Sequence, residues 1–224
     1  MQIVVINRNQ QKFVEPMCMA LAPLHPIFVF DRCEPVDSVT HKVNHDGDGF
    51  LAGRMRDIGA EGIDDDILFL DGDKIPHGDI VADIEQLKDK YDAICYGIAG
   101  EKENSEYRSF MRNDGVDGIV TWQASGFPYA SGCYSCGLWL SRDIIRKVRE
   151  LNGGRIFHPD FDGIWGDEDN FLADEINAVG GRIGYSTHVR LSGSFSDWMK
   201  RVDDLARNFI KRIELRKSLL GREV

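Results

Sequence analysis

Two short acidic groups are the residues best placed to do chemistry. The first closes the apolar run Ile67-Leu68-Phe69-Leu70 with Asp71-Gly72-Asp73-Lys74. A buried strand of this kind delivers its last side chains to the end of a sheet, where open α/β sheets take up ligands. Carboxylates there are costly without a compensating cation. Hard oxygen ligands suit a divalent metal, Mg²⁺ or Mn²⁺, carrying a diphosphate. An isolated Asp-Gly-Asp is more often an acidic turn, and the same tripeptide recurs at Asp46-Gly47-Asp48 with no strand-like run before it. That copy resembles the start of a calcium loop, but Met55 stands where the loop needs its bidentate Glu. It reads as a solvated loop, so context singles out Asp71 and Asp73.

The second group is Trp165-Gly166-Asp167-Glu168-Asp169-Asn170-Phe171, at the head of a segment with helical periodicity. Acidic residues at a helix start offset the dipole and cap free N–H groups, which accounts for them without any reaction. The aromatic-Gly lead-in also presents this start to a cleft, where a carboxylate can act as general base on an incoming hydroxyl. Downstream, Ile183 to Arg190 is strand-like and carries His188. A lone histidine is more often structural, but an imidazole beside Asp73 would complete a metal site. Cys133-Tyr134-Ser135-Cys136 lacks the second pair of a zinc site and the early strand-to-helix position of a redox pair. Trp122, Phe127, Tyr129 and Trp139 could stack on a ring-shaped ligand, though packing explains aromatics as readily.

These groups need a scaffold, and the pattern supplies one. Ile3 to Ile6, Pro26 to Phe30, Ile67 to Leu70 and Ala93 to Tyr96 are short, β-branched or aromatic, and end in polar residues, as buried parallel strands do. Between and beyond them, Phe13 to Leu21, Leu51 to Ile58, Ile80 to Leu87, Arg142 to Leu151 and Glu168 to Val179 have helical spacing. Alternation of strand and helix predicts an α/β sandwich rather than an all-β or all-α fold. Glu101 to Asp114 reads as a polar surface loop, and Thr121 to Leu140 as irregular strands lining a cleft. From Trp198 onward an apolar stripe (Val202, Leu205, Phe209, Ile213, Leu220) predicts a C-terminal amphipathic helix.

The 224 residues carry 27 basic and 37 acidic groups, a net charge of −10 that disfavours indiscriminate binding to nucleic acid or anionic membranes. Residues 198 to 224 hold eight Lys/Arg against four Asp/Glu, so this tail is +4 and the rest −14. The tail helix most often packs its stripe on the domain, and its basic face could equally dock an anionic acceptor. No apolar run spans a bilayer, the N-terminus lacks a signal-peptide pattern, and the five cysteines imply no disulfide framework. A cytoplasmic protein is expected.

In their order along the chain, these motifs resemble the GT-A fold glycosyltransferases, especially inverting family 2 and the galactosyltransferase-like group. The resemblance spans roughly residues 1 to 190. It rests on Asp31 ending the second strand, Gly49 to Gly59 as a helix similar to one bearing Ala-Arg-Asn-x-Gly, and Asp71-Gly72-Asp73 as a DxD motif. Gly137 to Arg142 resembles the segment before the acceptor lobe, and Trp165 to Asp169 a Trp-Gly-x-Glu-Asp helix start. The resemblance implies a single α/β domain with a Rossmann-like mixed, mainly parallel central sheet flanked by helices, made of a nucleotide-sugar lobe (1–98), an acceptor and catalytic lobe (99–195) and the C-terminal amphipathic helix (196–224). It implies donor contacts from Asp31, Arg54, Asp71 and Asp73, a Mn²⁺ or Mg²⁺ ion on Asp71, Asp73 and His188, Asp169 as the base, and Glu168 orienting acceptor or sugar. Asn7-Arg8-Asn9 after the first strand and Met55 after Arg54 depart from the family pattern near the nucleotide pocket, so a UDP-sugar is a default donor.

The acceptor is not written in the sequence. The resemblance allows a polysaccharide or lipid precursor, a protein, a small molecule, or hydroxymethylated pyrimidines of viral DNA. A sugar-nucleotide pyrophosphorylase shares such a lobe, but it needs a Gly-rich basic loop after the first strand, which Asn7 to Gln10 does not offer. A non-catalytic nucleotide- or metal-binding module needs no helix-start Glu-Asp.

Overall fold

The computed structural model describes residues 1–45, 49, 51–98, 115–116, 119–121, 136–163, 166–192 and 202–220. Within them run ten strands: β1 (Gln2–Asn7), β2 (Ile27–Asp31), β3 (His41–Asn44), β4 (Ile67–Asp71), β5 (Pro76–His77), β6 (Ala93–Ile98), β7 (Gly115–Val116), β8 (Ile119–Thr121), β9 (Gly137–Leu140) and β10 (Ile183–Leu191). The helices are α1 (Val14–Ala20), α2 (Ala52–Ala60), α3 (Ile80–Leu87), α4 (Arg142–Leu151), α5 (Glu168–Ala178) and α6 (Val202–Leu220).

All ten strands join one sheet in the order β3-β2-β1-β4-β9-β6-β10-β8-β7, with β5 added alongside β10. The pairs β3–β2, β2–β1, β1–β4 and β6–β10 are parallel, and β9 runs antiparallel between β4 and β6. The expected mixed, mainly parallel sheet is therefore present, with helices on both faces. From β1 the chain steps outward to β2 and β3, then returns to the other side of β1 as β4. That reversal makes a topological switch point at the carboxyl ends of β1 and β4.

Alternation along the strands divides the core. Val4, Ile6, Val29, Ile67, Phe69 and Leu138 pack against α2, α4 and α5, whereas Ile3, Val5, Phe28, Leu68, Leu70 and Trp139 pack against α1 and α3. Each interior strand thus buries both faces, which is why its sequence is continuously apolar. Helix starts follow local capping: the Asp79 carboxylate accepts from the Ala82 N–H, and the Ser141 hydroxyl from the Ile144 N–H. At Gly59 a Cβ would lie 2.3 Å from Val4 Cγ1, so glycine lets α2 approach the sheet closely.

Two local features differ from the sequence reading. Gly137–Leu140 is a fully buried central strand rather than part of an irregular cleft wall, because β4 and β6 flank it on both sides. The strands β3 and β5 carry no apolar run, and their neighbours impose them. Residues 46–48 and 101–114, Trp122, Phe127, Tyr129, Cys133, Trp165 and Trp198 lie outside the described residues. Among the described residues, Cys18, Cys33, Cys95 and Cys136 are free thiols, and no helix is long and apolar enough to cross a membrane.

Candidate active site

Four polar residues end neighbouring strands: Asn7 on β1, Asp31 on β2, Asn44 on β3 and Asp71 on β4. The register places Asp31 opposite Asn44 and Asp71 opposite Ile6, so these ends line up along one edge. Asn7, Asp31 and Asn44 are buried, and Asp71 is partly exposed. Asp31 faces Arg8 Nε at 3.5 Å and Arg32 Nε at 3.2 Å. Arg32 adopts a left-handed φ of 52° and donates from its guanidinium to the Gly49 carbonyl. Asn7 Oδ1 accepts from the Gln10 N–H at 2.9 Å, while its buried Nδ2 has no partner among the described residues.

The Asp-Gly-Asp turn folds back onto β1. Gly72 N–H donates to the Ile6 carbonyl at 2.8 Å, and a Cβ at Gly72 would lie 2.7 Å from Gln10 Oε1 and 3.2 Å from Asn7 Nδ2. A side chain there would crowd the Ile6 carbonyl at 3.0 Å and make Gln10 move. The end of β10 clamps the other side: Ser192 Oγ donates to the Asp73 carbonyl at 2.9 Å and accepts from the Ile75 N–H at 2.8 Å.

Each aspartate meets an internal cation. Lys74 Nζ contacts Asp73 Oδ2 at 2.7 Å. Arg56 Nη2 donates to Asp71 Oδ1 at 2.7 Å, and Arg56 Nη1 to Glu168 Oε1 at 3.4 Å. Arg56, 2% exposed, thereby joins the strand-end carboxylates to the start of α5. Its guanidinium lies over the Phe157 ring, 5.6 Å from the centroid. Asp57 fixes that ring's backbone, accepting from Ile156 N–H at 2.8 Å and from Arg155 Nε at 2.8 Å. Burial holds the Asp57 carboxyl above its ordinary range, and these hydrogen bonds oppose the shift.

The sequence reading assigned donor contact to Arg54, whereas the structure brings Arg56 to Asp71 and Glu168. The signal was present: in Ala-Arg-Asn-x-Gly the arginine precedes the glycine by three positions, which counted back from Gly59 gives Arg56. Arg54 lies on the same helix, partly buried.

Gly166 and Asp167 lead into α5 with φ values of 87° and 66°. A left-handed backbone at a non-glycine costs about 1 kcal/mol, and such strain collects where a chain must turn sharply to aim side chains. The turn delivers Glu168 and Asp169 as the first residues of the helix. Gly53 makes room for it, since a Cβ there would lie 2.9 Å from Phe157 Cβ and 3.6 Å from Glu168 Cγ. Burial, then the neighbouring Asp169 charge, push the Glu168 carboxyl up to about 8, with Arg56 pulling the other way. Glu168 Oε2 is buried with no partner among the described residues. Asp169 is less buried, and its Oδ1 accepts from the Asn170 N–H at 2.8 Å. Asymmetry of this kind pairs a carboxyl that holds its proton near neutrality with one in a wetter setting.

His188 stands apart from this cluster. Its Nδ1 lies 2.8 Å from Asp83 Oδ1 on α3, and Tyr96 OH donates to Asp83 Oδ2 at 3.0 Å. Among the described residues no three His, Cys, Asp or Glu side chains converge as a metal-ligand set, so Asp71, Asp73 and His188 are not gathered here. Asp71 and Asp73 each retain one carboxylate oxygen without a hydrogen-bond partner among the described residues, and hard oxygen donors of this type fit a divalent cation.

The mainly parallel sheet, with helices on both faces, has the GT-A fold. Solved GT-A glycosyltransferases share it. S. aureus TarS 1–349 superposes with a TM-score of 0.64 at 14% identity, covering 98% of this chain and 69% of that one. GalNAc-T7 gives 0.65 at 12%, covering 95% and 47%. The mannosyltransferase PcManGT from Pyrobaculum calidifontis gives 0.62 at 16%, covering 95% and 64%. At such identity the likeness establishes the fold, and the chain spans about half to two thirds of these neighbours. No protein-family model matches the sequence, and no curated protein matches it.

Proposed function

We propose that the chain is a metal-dependent glycosyltransferase that moves a hexosyl group from a nucleotide sugar to an acceptor hydroxyl with inversion. The observation that carries this reading is the Arg56 bridge, which sets the strand-end Asp71 and the helix-start Glu168 against one buried guanidinium. Ligand binding alone needs the first carboxylate and not the second. The structural neighbours fit: TarS has been solved with UDP-GlcNAc, GalNAc-T7 with UDP, GalNAc and Mn²⁺, and PcManGT with GDP-Man and Mn²⁺.

In this proposal residues 1–98 hold the donor, with Asp31 and the Asn7–Gln10 turn at the nucleoside and Asp71 and Asp73 at the diphosphate. Asp73, with Asp71, would hold Mn²⁺ or Mg²⁺, and the phosphates and water complete the ligand shell. Bound there, the cation neutralises charge developing on the leaving diphosphate. His188, with Nδ1 held by Asp83, would offer Nε2 to the same cation. Asp169 accepts the proton of the acceptor hydroxyl as that oxygen attacks the anomeric carbon; the bond from that carbon to the diphosphate oxygen breaks, and its electron pair leaves with the diphosphate. Glu168, still protonated near neutrality, donates a hydrogen bond that orients sugar or acceptor.

A panel of UDP- and GDP-sugars, with Mn²⁺ or Mg²⁺, against polysaccharide, lipid-precursor, protein, small-molecule and hydroxymethylated-DNA acceptors tests the reading, with the acceptor's mass as readout. The expected result is a hexose-sized mass gain that disappears in Asp73→Asn and in Asp169→Asn. Undiminished transfer by Asp73→Asn in excess chelator would overturn it.

A further inference from the structure

The C-terminal helix reaches the turn that aims the two helix-start carboxylates. Asn208 Nδ2 donates to the Gly166 carbonyl at 3.0 Å. One turn on, Arg212 Nε donates to Asp174 Oδ2 at 2.7 Å, and Arg212 Nη1 stands 4.0 Å from Asp167 Oδ1. Between them Lys211 donates to the Asp160 carbonyl, in the short turn Pro159–Phe161. Positions 208, 211 and 212 share one helix face, and Asn208 and Arg212 are buried at 0% and 6% exposure. Their partners straddle the left-handed Gly166–Asp167 pair, which receives no side-chain cap of its own.

A backbone held in a sparsely populated conformation relaxes unless its surroundings over-determine it. Asn170 Nδ2, at 2.7 Å from Asp167 Oδ1, supplies one restraint from within α5. The restraints from outside α5 described here come from α6. Ile210 and Lys217, on the same helix, are exposed.

We propose that Asn208 and Arg212 are positioning residues, through which α6 holds the Gly166–Asp167 turn and so sets Glu168 and Asp169 for transfer. This rests on the glycosyltransferase reading for its kinetic consequence, but not for its structural one. A carboxylate displaced by about 1 Å costs on the order of 100-fold in rate, whereas Asn7 and Asp31 at the nucleoside end are not hydrogen-bonded to the turn among the described residues. The buried charge on Arg212 therefore serves the site from inside, which separates it from the basic residues that face solvent.

The test uses the full chain with Asn208→Leu, Arg212→Gln, Arg212→Lys and Lys217→Ala. Two readouts are taken beside the melting temperature: kcat against nucleotide Kd, and a carboxyl ¹³C NMR titration of Glu168. In Asn208→Leu and Arg212→Gln, kcat is expected to fall about 10- to 100-fold with nucleotide Kd within about twofold. In the same variants the Glu168 midpoint falls from about 8 toward the ordinary glutamate value as water enters. Arg212→Lys, keeping the charge beside Asp174, recovers most of both, and Lys217→Ala changes neither. Unchanged kcat and an unchanged titration in Asn208→Leu and Arg212→Gln overturn the proposal, as does a kcat loss that merely follows melting temperature or nucleotide Kd. If the parent protein transfers no sugar, the functional reading fails, and the Glu168 titration alone decides whether α6 holds the turn.

Discussion

Glu168 lies on the side of α5 that meets Arg56, and its proton links folding to pH. Its folded midpoint near 8 stands above the ordinary 4.5, so between these values the folded chain binds more proton than the unfolded one. Its stabilising contribution is complete below about pH 4.5 and is lost as pH rises through 8. Glu175, pushed up to about 8 chiefly by burial, acts with the same sign. Glu168→Gln removes one of the two contributions, so the stability of this variant relative to the parent should improve by on the order of 2 kcal/mol between pH 5.5 and 8.5 in urea denaturation. A constant difference across that range would refute the buried-proton account. Asp169→Asn should instead lower kcat by about 100-fold or more with little change in nucleotide affinity. Arg56→Gln leaves Asp71 and Glu168 without their shared hydrogen-bond donor and should cost about 1–3 kcal/mol in the same denaturation assay.

Helix α2 positions Arg56 only because two glycines let it approach its neighbours. In an ordinary helix interior, Gly→Ala stabilises by about 1 kcal/mol. At Gly59 the new Cβ would meet Val4 Cγ1 at 2.3 Å and Val29 Cγ2 at 2.9 Å, so Gly59→Ala should lose about 1–3 kcal/mol, read as a lower urea midpoint. Gly53→Ala pushes instead on Phe157, the ring beneath Arg56. The helix α5 depends in turn on the left-handed turn before it, where the sequence shows acidic residues but no reason for their backbone. On the far side of the sheet, Asp83 accepts from Tyr96 OH and faces His188 Nδ1, which fixes the orientation of that imidazole.

Across the whole molecule, the proposed donor binding at the switch point would couple to global stability. A nucleoside diphosphate sugar at about 100 times its Kd should stabilise the fold by about 2.7 kcal/mol, or roughly 5 °C or more in melting temperature for a chain this size. The shift should require Mn²⁺ or Mg²⁺ and vanish with chelator and in Asp73→Asn; an equal shift without metal would refute the assignment of Asp73. The charge asymmetry also changes meaning at this scale. The +4 tail expected to pack or to dock an anionic acceptor keeps Arg212 inside, against Asp174, and Lys211 over Asp160. Charge reversal at Arg212 would thus break internal packing, and acceptor docking by the helix is better probed at the exposed Arg207 and Lys217.

The buried parallel strands, the five helices between residues 13 and 179, the Asp71-Gly72-Asp73 turn and the Glu168-Asp169 helix start were legible in the sequence. Each is a local pattern: continuous apolar runs, 3.6-residue periodicity, and polar residues at element ends. Tertiary structure alone decided that Gly137–Leu140 is a central strand, that His188 pairs with Asp83, and that α6 reaches the turn at Gly166. It also showed that Arg56 on the same short helix joins Asp71 to Glu168. Such pairings join residues up to 112 positions apart, as Arg56 and Glu168 are, and neither partner's neighbours carry a mark of the other. A strand or helix announces itself by its period, whereas a buried charge is understood only once the group that neutralises it is known.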